Sequence, residues 1–108
     1  MAWLVRDGDV LASLEIADSR RTRMRGLIGL DGFDGALYLP KVTSVHTFGM
    51  RFPIDVAFVD EDMAVIRVAT LKRWRVTPFV RGAAGVIEAE AGLFQKWGIC
   101  CGDELGIR

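Results

Sequence analysis

The chain is short of several features that would each announce a chemistry. It has two cysteines, one histidine, one tyrosine, three prolines and no net charge, 14 Lys and Arg standing against 14 Asp and Glu. Cys100 and Cys101 are adjacent, so no disulfide framework exists. Neighbouring cysteines close only a strained ring, because one peptide holds their Cα atoms nearer than a disulfide prefers. One histidine and scattered carboxylates offer no metal-ligand spacing, and no metal or cofactor is expected. Charge balance excludes a polyanion binder that works through bulk attraction. No run approaches the ~18 apolar residues of a membrane span. The opening stretch MAWLVRDGDVLASLEIAD carries Asp7 and Asp9 and no uninterrupted apolar core, so it does not read as a secretory signal. With two free thiols, the expected compartment is the cytosol.

What remains is 108 residues that are 51% hydrophobic and 26% charged, without repeats, low-complexity tracts or a linker. Such content excludes disorder and predicts a single domain over residues 1–108 that folds without staples. Val10 to Ala17 alternates and predicts a strand with Val10, Ala12, Leu14 and Ile16 inward. Asp18 or Ser19 then caps a helix with Met24, Leu27 and Ile28 as its apolar stripe and Gly29 as its stop. Gly26 inside that stripe predicts close approach of another backbone. Extended segments follow at 36–39, 42–50, 54–60 and 64–71, with a hairpin turn at Asp60-Glu61-Asp62. Trp74 to Val80 reads as an edge strand and 86–89 as a further strand. Residues 91–97 read as a short helix stopped by Gly98, and 102–105 as a turn into a last strand ending at Ile107. The expected fold is α+β: a mostly antiparallel, strongly curved sheet or small barrel with one main helix and one short helix.

The unusual residues gather in VHTFGMRFPIDVAFVD, residues 45–60. In an extended segment His46, Phe48 and Met50 share a face opposite Thr47, Gly49 and Arg51. Asp55 lies in an apolar strand and needs a cation or donors if buried, with Arg51 nearest in sequence across the Pro53 bend. One reading makes His46 a general base, Asp55 its orienting carboxylate and Arg51 an anion clamp. A simpler reading makes Arg51 and Asp55 an architectural pair and His46 a half-buried polar residue. It is preferred, because no Ser or Cys nucleophile has motif context. The clusters Arg20–Arg25 and Lys72-Arg73-Trp74-Arg75 fit solvated faces better than nucleic-acid contacts, as no nucleic-acid fold signature accompanies them. Glu88 and Glu90 alternate against Ile87 and Ala89 and read as a wet strand face.

Three ordered stretches, ADSRRTRMRGLIG, VHTFGMRFPIDVAFVD and GVIEAEAGLFQKWGICCGDEL, closely resemble the domain of unknown function 192 family of bacterial and archaeal proteins. The resemblance runs from about Leu11 to Leu105. It marks Arg25-Gly26-Leu27, His46, Met50, Arg51, Pro53, Ile54, Asp55, Glu88 and Gly102-Asp103 as family positions. Where relatives carry a Trp-Met-Lys-Asn type of step, this chain has Phe48-Gly49-Met50-Arg51. The resemblance implies a β-rich α+β domain and no established reaction, cofactor or substrate, and many relatives look exported. The favoured function is a non-enzymatic binding module for a small polar ligand or peptide, with His46, Met50, Arg51 and Asp55 as ligand-binding residues. The runner-up is a small acid/base or hydrolytic enzyme using His46 and Asp55. The expected partner is a small ligand or another protein, not a membrane and not nucleic acid.

Overall fold

The structure, a computed structural model, describes residues 2–108. Its elements are β1 (Ala2–Arg6), β2 (Asp9–Ile16), α1 (Arg20–Arg25), β3 (Ala36–Pro40), β4 (Ile54–Val59), β5 (Val65–Leu71), β6 (Gly85–Glu90), α2 (Leu93–Trp97) and β7 (Gly106–Ile107). All seven strands join one sheet in the order β5-β4-β6-β3-β2-β1-β7. Neighbours are antiparallel except β2 and β3, whose parallel pairing requires a crossover, and α1 lies on that connection. The sheet curls strongly. β7 pairs with β1 at one edge, while Glu104, just upstream of β7, bridges Ala64 beside β5 at the other. The result is a β-rich half-barrel, mixed but mostly antiparallel, with two short helices. The expected main helix is a correction: α1 has six residues and none of them is buried.

Local chemistry accounts for these elements. Asp7 and Gly8 take positive φ (52° and 84°), the geometry of a tight two-residue hairpin turn, so β1 folds onto β2. Ser19 caps α1 in a reciprocal pair with Thr22, and the helix stops at Gly26 rather than Gly29. Gly26 is therefore a terminus with φ 52°, not an interior residue, and Met24 is 70% exposed rather than part of a buried stripe. The Asp60 carboxylate accepts from the amides of Asp62 and Ala64, both at 2.9 Å, and fixes the expected β4–β5 turn. In β2 only Leu14 is buried, while Val10 and Ile16, expected inward, stand exposed.

Each face of the sheet carries a core. Leu37, Leu39, Ile54, Val56, Phe58 and Val86 lie in one cluster, capped by Leu27, Val45 and Met50. Ala36, Ala57, Val59, Ile87 and Ala89 lie in the other, under Phe94 of α2 and Leu4 of β1. β6 is thus a central strand covered on both sides. Two expected strands are not formed. Residues 42–50 and 74–80 meet through one bridge, His46 with Val76. Gly49 (φ 83°) turns the first, Trp74 (φ 61°) and Pro78 interrupt the second, and the amide of Met50 bonds back to the Thr47 carbonyl.

Candidate functional site

Glu88 sits in the middle of β6, paired with Val56 of β4 and Leu37 of β3, so its side chain points into the first core cluster. It is only 4% exposed, which corrects the wet-face reading. The reading assumed a strand with one solvated side; β6 has none. No hydrogen bond to its carboxyl occurs among the described residues, and burial alone pushes its pKa up to about 7 from the ordinary 4.5. The carboxyl faces a recess of about 50 Å³ walled by Leu27, Ile28, Leu39, Val45, Met50 and Ile54.

The recess exists because Gly26 forms part of its roof. A Cβ there would stand 3.1 Å from Glu88 Oε1. The close approach anticipated at Gly26 is therefore made by a carboxyl, not by a backbone. Arg23, Arg25, Ser44 and His46 complete the lining. Beyond Met24 and His46 a shallower groove of about 330 Å³ adds Arg20 and Lys41. The arrangement is a buried proton-exchanging acid beneath a rim of cations, which can hold the donor end of a small molecule below and its anionic end above.

His46 and Met50 are brought to this recess, Met50 as a buried wall and His46 as an exposed rim residue stacked on Phe48 at 5.2 Å. Arg51 and Asp55 are not. Asp55 alternates with Ile54 and lies on the opposite face of the sheet, where Thr70 Oγ1 donates to Oδ1 (2.6 Å). Its Oδ2 accepts from the amides of Gly92 (2.9 Å) and Phe94 (3.2 Å). Gly92 is the N-cap of α2 and has no side chain to cap with; Asp55 supplies the missing acceptor from β4. Arg51 instead pairs with Asp31 at 2.6 Å on the surface. The Arg51–Asp55 pair and the His46–Asp55 pair are thus both absent, because strand alternation sends Asp55 toward α2.

Another family position has an architectural partner. Asp103 accepts from Arg6 Nη1 and from the amide of Cys100, both at 2.9 Å, while Arg6 also donates to the carbonyls of Trp97 and Gly98 at the end of α2. Cys100 and Cys101 are free and exposed. No group of three or more His, Cys, Asp or Glu side chains that could hold a metal occurs among the described residues. No helix among them is long and apolar enough to cross a membrane.

Gly26, His46, Met50 and Glu88, all marked by the family resemblance, surround one recess, while Asp55 and Asp103 brace α2. The DUF192 pattern, described as an uncharacterized ACR, matches residues 3–107. The chain belongs to the DUF192 family. Its relatives include UPF0127 proteins of Thermococcus kodakarensis, 32% identical over 96 residues (83% of this chain, 61% of that protein), and Thermococcus sibiricus, 33% identical over 98 (85% and 64%). The chain thus spans less than two thirds of the length of these DUF192 relatives. Among solved structures, a protein of unknown function from Novosphingobium aromaticivorans matches with TM-score 0.78 at 18% identity, covering 97% of this chain and 82% of that one. A candidate transcription regulator from Sinorhizobium meliloti matches with TM-score 0.74 at 19% identity, covering 97% and 90%. At such identities the likeness shows the fold alone.

The sequence reasoning missed Glu88, Gly26 and the arginines of α1 as one site. Gly26 in an arginine-rich helix was a visible signal. Glu88 was hidden, since an acid between Ile87 and Ala89 reads equally as the outer side of an edge strand.

Proposed function

We propose that this DUF192 domain is a non-enzymatic binding module for a small polar ligand, held at the Glu88 recess. The observation that carries this reading is a carboxyl on a residue only 4% exposed that accepts no hydrogen bond from the described residues and keeps its residual contact with solvent at the recess. Burial removes most of the water from this carboxyl, and a ligand donor entering the recess would compensate it. A water needs roughly 10–15 Å³ of such space. A recess of about 50 Å³ therefore accepts the end of a molecule, an ammonium or hydroxyl group, and not a whole ligand. The rest would lie in the adjoining groove, its anionic group near Arg20, Arg23 and Lys41. Small amino acids and aminoalkyl phosphates have this chemistry. His46 and Met50 remain ligand-facing residues in this reading, while Arg51 and Asp55 serve the fold.

Thermal-shift measurements with glycine, β-alanine, aminoethyl phosphate and lactate test it, using the parent protein and Glu88→Gln. Binding should raise the melting temperature of the parent with concentration and have a much weaker effect on the variant. Equal shifts in both proteins, or none with any compound, would refute it. The proton affinity of Glu88 near neutrality favours a second reading, proton transfer with Glu88 as acid or base in place of the His46–Asp55 pair. Chemical turnover of a bound compound, lost in Glu88→Gln, would support that reading over simple binding.

A further inference from the structure

Eleven of the fourteen Lys and Arg fall within residues 19–30, 35–54 and 63–87, and these three stretches contain no Asp or Glu. Net neutrality hides this segregation. The fold sets parts of two of them side by side. Thr47 N donates to the Arg75 carbonyl, Thr77 N to Val45 and Val80 N to Thr43, so residues 43–47 and 75–80 form a loose ribbon. Val45 and Thr47 point inward and are buried. Outward stand Phe48 (46% exposed), Trp74 (59%), Val76 and Phe79 (68%), beside His46. The rings form a row: His46 to Phe48 at 5.2 Å and Phe48 to Trp74 at 6.0 Å between centroids.

This exposure is built, not incidental. Trp74 has φ 61°, an uncommon conformation for a bulky side chain that persists only where its surroundings impose it. Buried Thr47 imposes it: its hydroxyl donates to the Lys72 carbonyl and accepts from the Arg75 amide, each at 2.7 Å. Lys72, Arg73 and Arg75 adjoin Trp74 in the chain and are exposed; Arg73 Nε donates to the Met50 carbonyl at 3.0 Å, and Arg75 Nη1 donates to the carbonyls of Arg73 and Trp74 at 3.4 and 3.3 Å. The ion pairs among the described residues are Arg6–Asp103 and Arg51–Asp31, so these three cations have no carboxylate partner.

We infer that the ribbon is a docking surface for an acidic protein segment, one that alternates carboxylates with apolar side chains. The carboxylates meet Lys72, Arg73 and Arg75, and the apolar groups pack on Phe48, Trp74, Val76 and Phe79. Exposed aromatics with arginine and no acid are the composition of an interface centre. Single-stranded nucleic acid would also use rings and cations, but aliphatic Val76 gives it no stacking surface, so a peptide fits better. His46 borders both sites, but none of Lys72, Trp74 or Arg75 lines the Glu88 recess, so substitutions at these three test the docking surface independently of the ligand site.

The test is fluorescence anisotropy with short fluorescein-labelled peptides alternating Asp or Glu with Leu or Phe, with Lys-substituted counterparts and oligo-dT as competitors. The acidic peptides should bind saturably and weaken with salt. Binding should fall by about tenfold or more in Trp74→Ala and in Lys72→Glu/Arg75→Glu, with unchanged melting temperatures. If a variant's melting temperature falls, amide shift mapping on the parent takes its place and should centre on residues 46–48 and 72–76. No binding, equal binding of acidic and Lys-substituted peptides, or oligo-dT binding tighter than any peptide would each overturn the inference.

Discussion

Glu88→Gln should make the protein more stable above neutral pH, an unusual outcome for removing a charged group from the core. The folded-state pKa of Glu88 lies near 7 against 4.5 unperturbed, because burial strips most of the water from the carboxylate. For an acid raised in this way the unfolded chain loses its proton first. Stability is therefore full below about pH 4.5, declines as pH rises toward 7 and stays low above it. A shift of this size corresponds to about 3 kcal/mol, each unit being worth about 1.4 kcal/mol. Glutamine keeps the shape and cannot ionise, so the variant lacks the decline. Urea unfolding followed by tryptophan fluorescence from about pH 4 to pH 9 measures both proteins. At about pH 8 the variant should exceed its parent by a few kcal/mol, on the order of 10 °C in melting temperature, and near pH 4 the two should agree. A difference that does not change with pH, or a variant weaker than its parent above pH 7, would refute the reasoning.

Other substitutions separate architectural residues from those of the recess. Asp55→Ala leaves the amides of Gly92 and Phe94 without their acceptor and should cost about 2–4 kcal/mol, read from chemical denaturation, with loss of α2 protection in hydrogen exchange. Arg51→Ala breaks only an exposed pair with Asp31, so unfolding should shift by less than about 1 kcal/mol. An Arg51 effect as large as that of Asp55 would show that the two act together after all. Gly26→Ala places a methyl 3.1 Å from Glu88 Oε1 at positive φ, and should cost about 1–3 kcal/mol while closing the recess to ligands in the thermal-shift assay.

The positions of most strands along the chain were legible, because β3, β4, β5 and β6 carry β-branched or aromatic residues bounded by Gly, Pro or acidic turns, whereas their order in the sheet was not. Asp60 is an instance, a side chain whose turn-forming bonds follow from its own position. The DUF192 resemblance was legible too, on motifs spread along the chain. The first strand leaves little local trace beyond the Asp7-Gly8 hairpin signal. The segments around His46 and Val76 look like strands in sequence because their alternation is real. Buried Thr47 sets the loop by bonds to a segment some 25 residues away, which no local pattern contains. The same limit applies to the site. Asp55 is visible in sequence as an acid in an apolar strand, but which face it serves depends on where α2 docks. Glu88 looked solvated until β3 and β4 were known to flank it.

The central claim is that the Glu88 recess receives the donor end of a small polar molecule. An amide-resolved NMR titration of the parent protein with glycine, β-alanine and aminoethyl phosphate near pH 7 tests it most directly. Shifts should concentrate on Gly26 to Ile28, Ser44 to His46 and Glu88, and vanish in Glu88→Gln. Shifts centred on α2 and Asp55, or a spectrum unchanged by every compound, would contradict it.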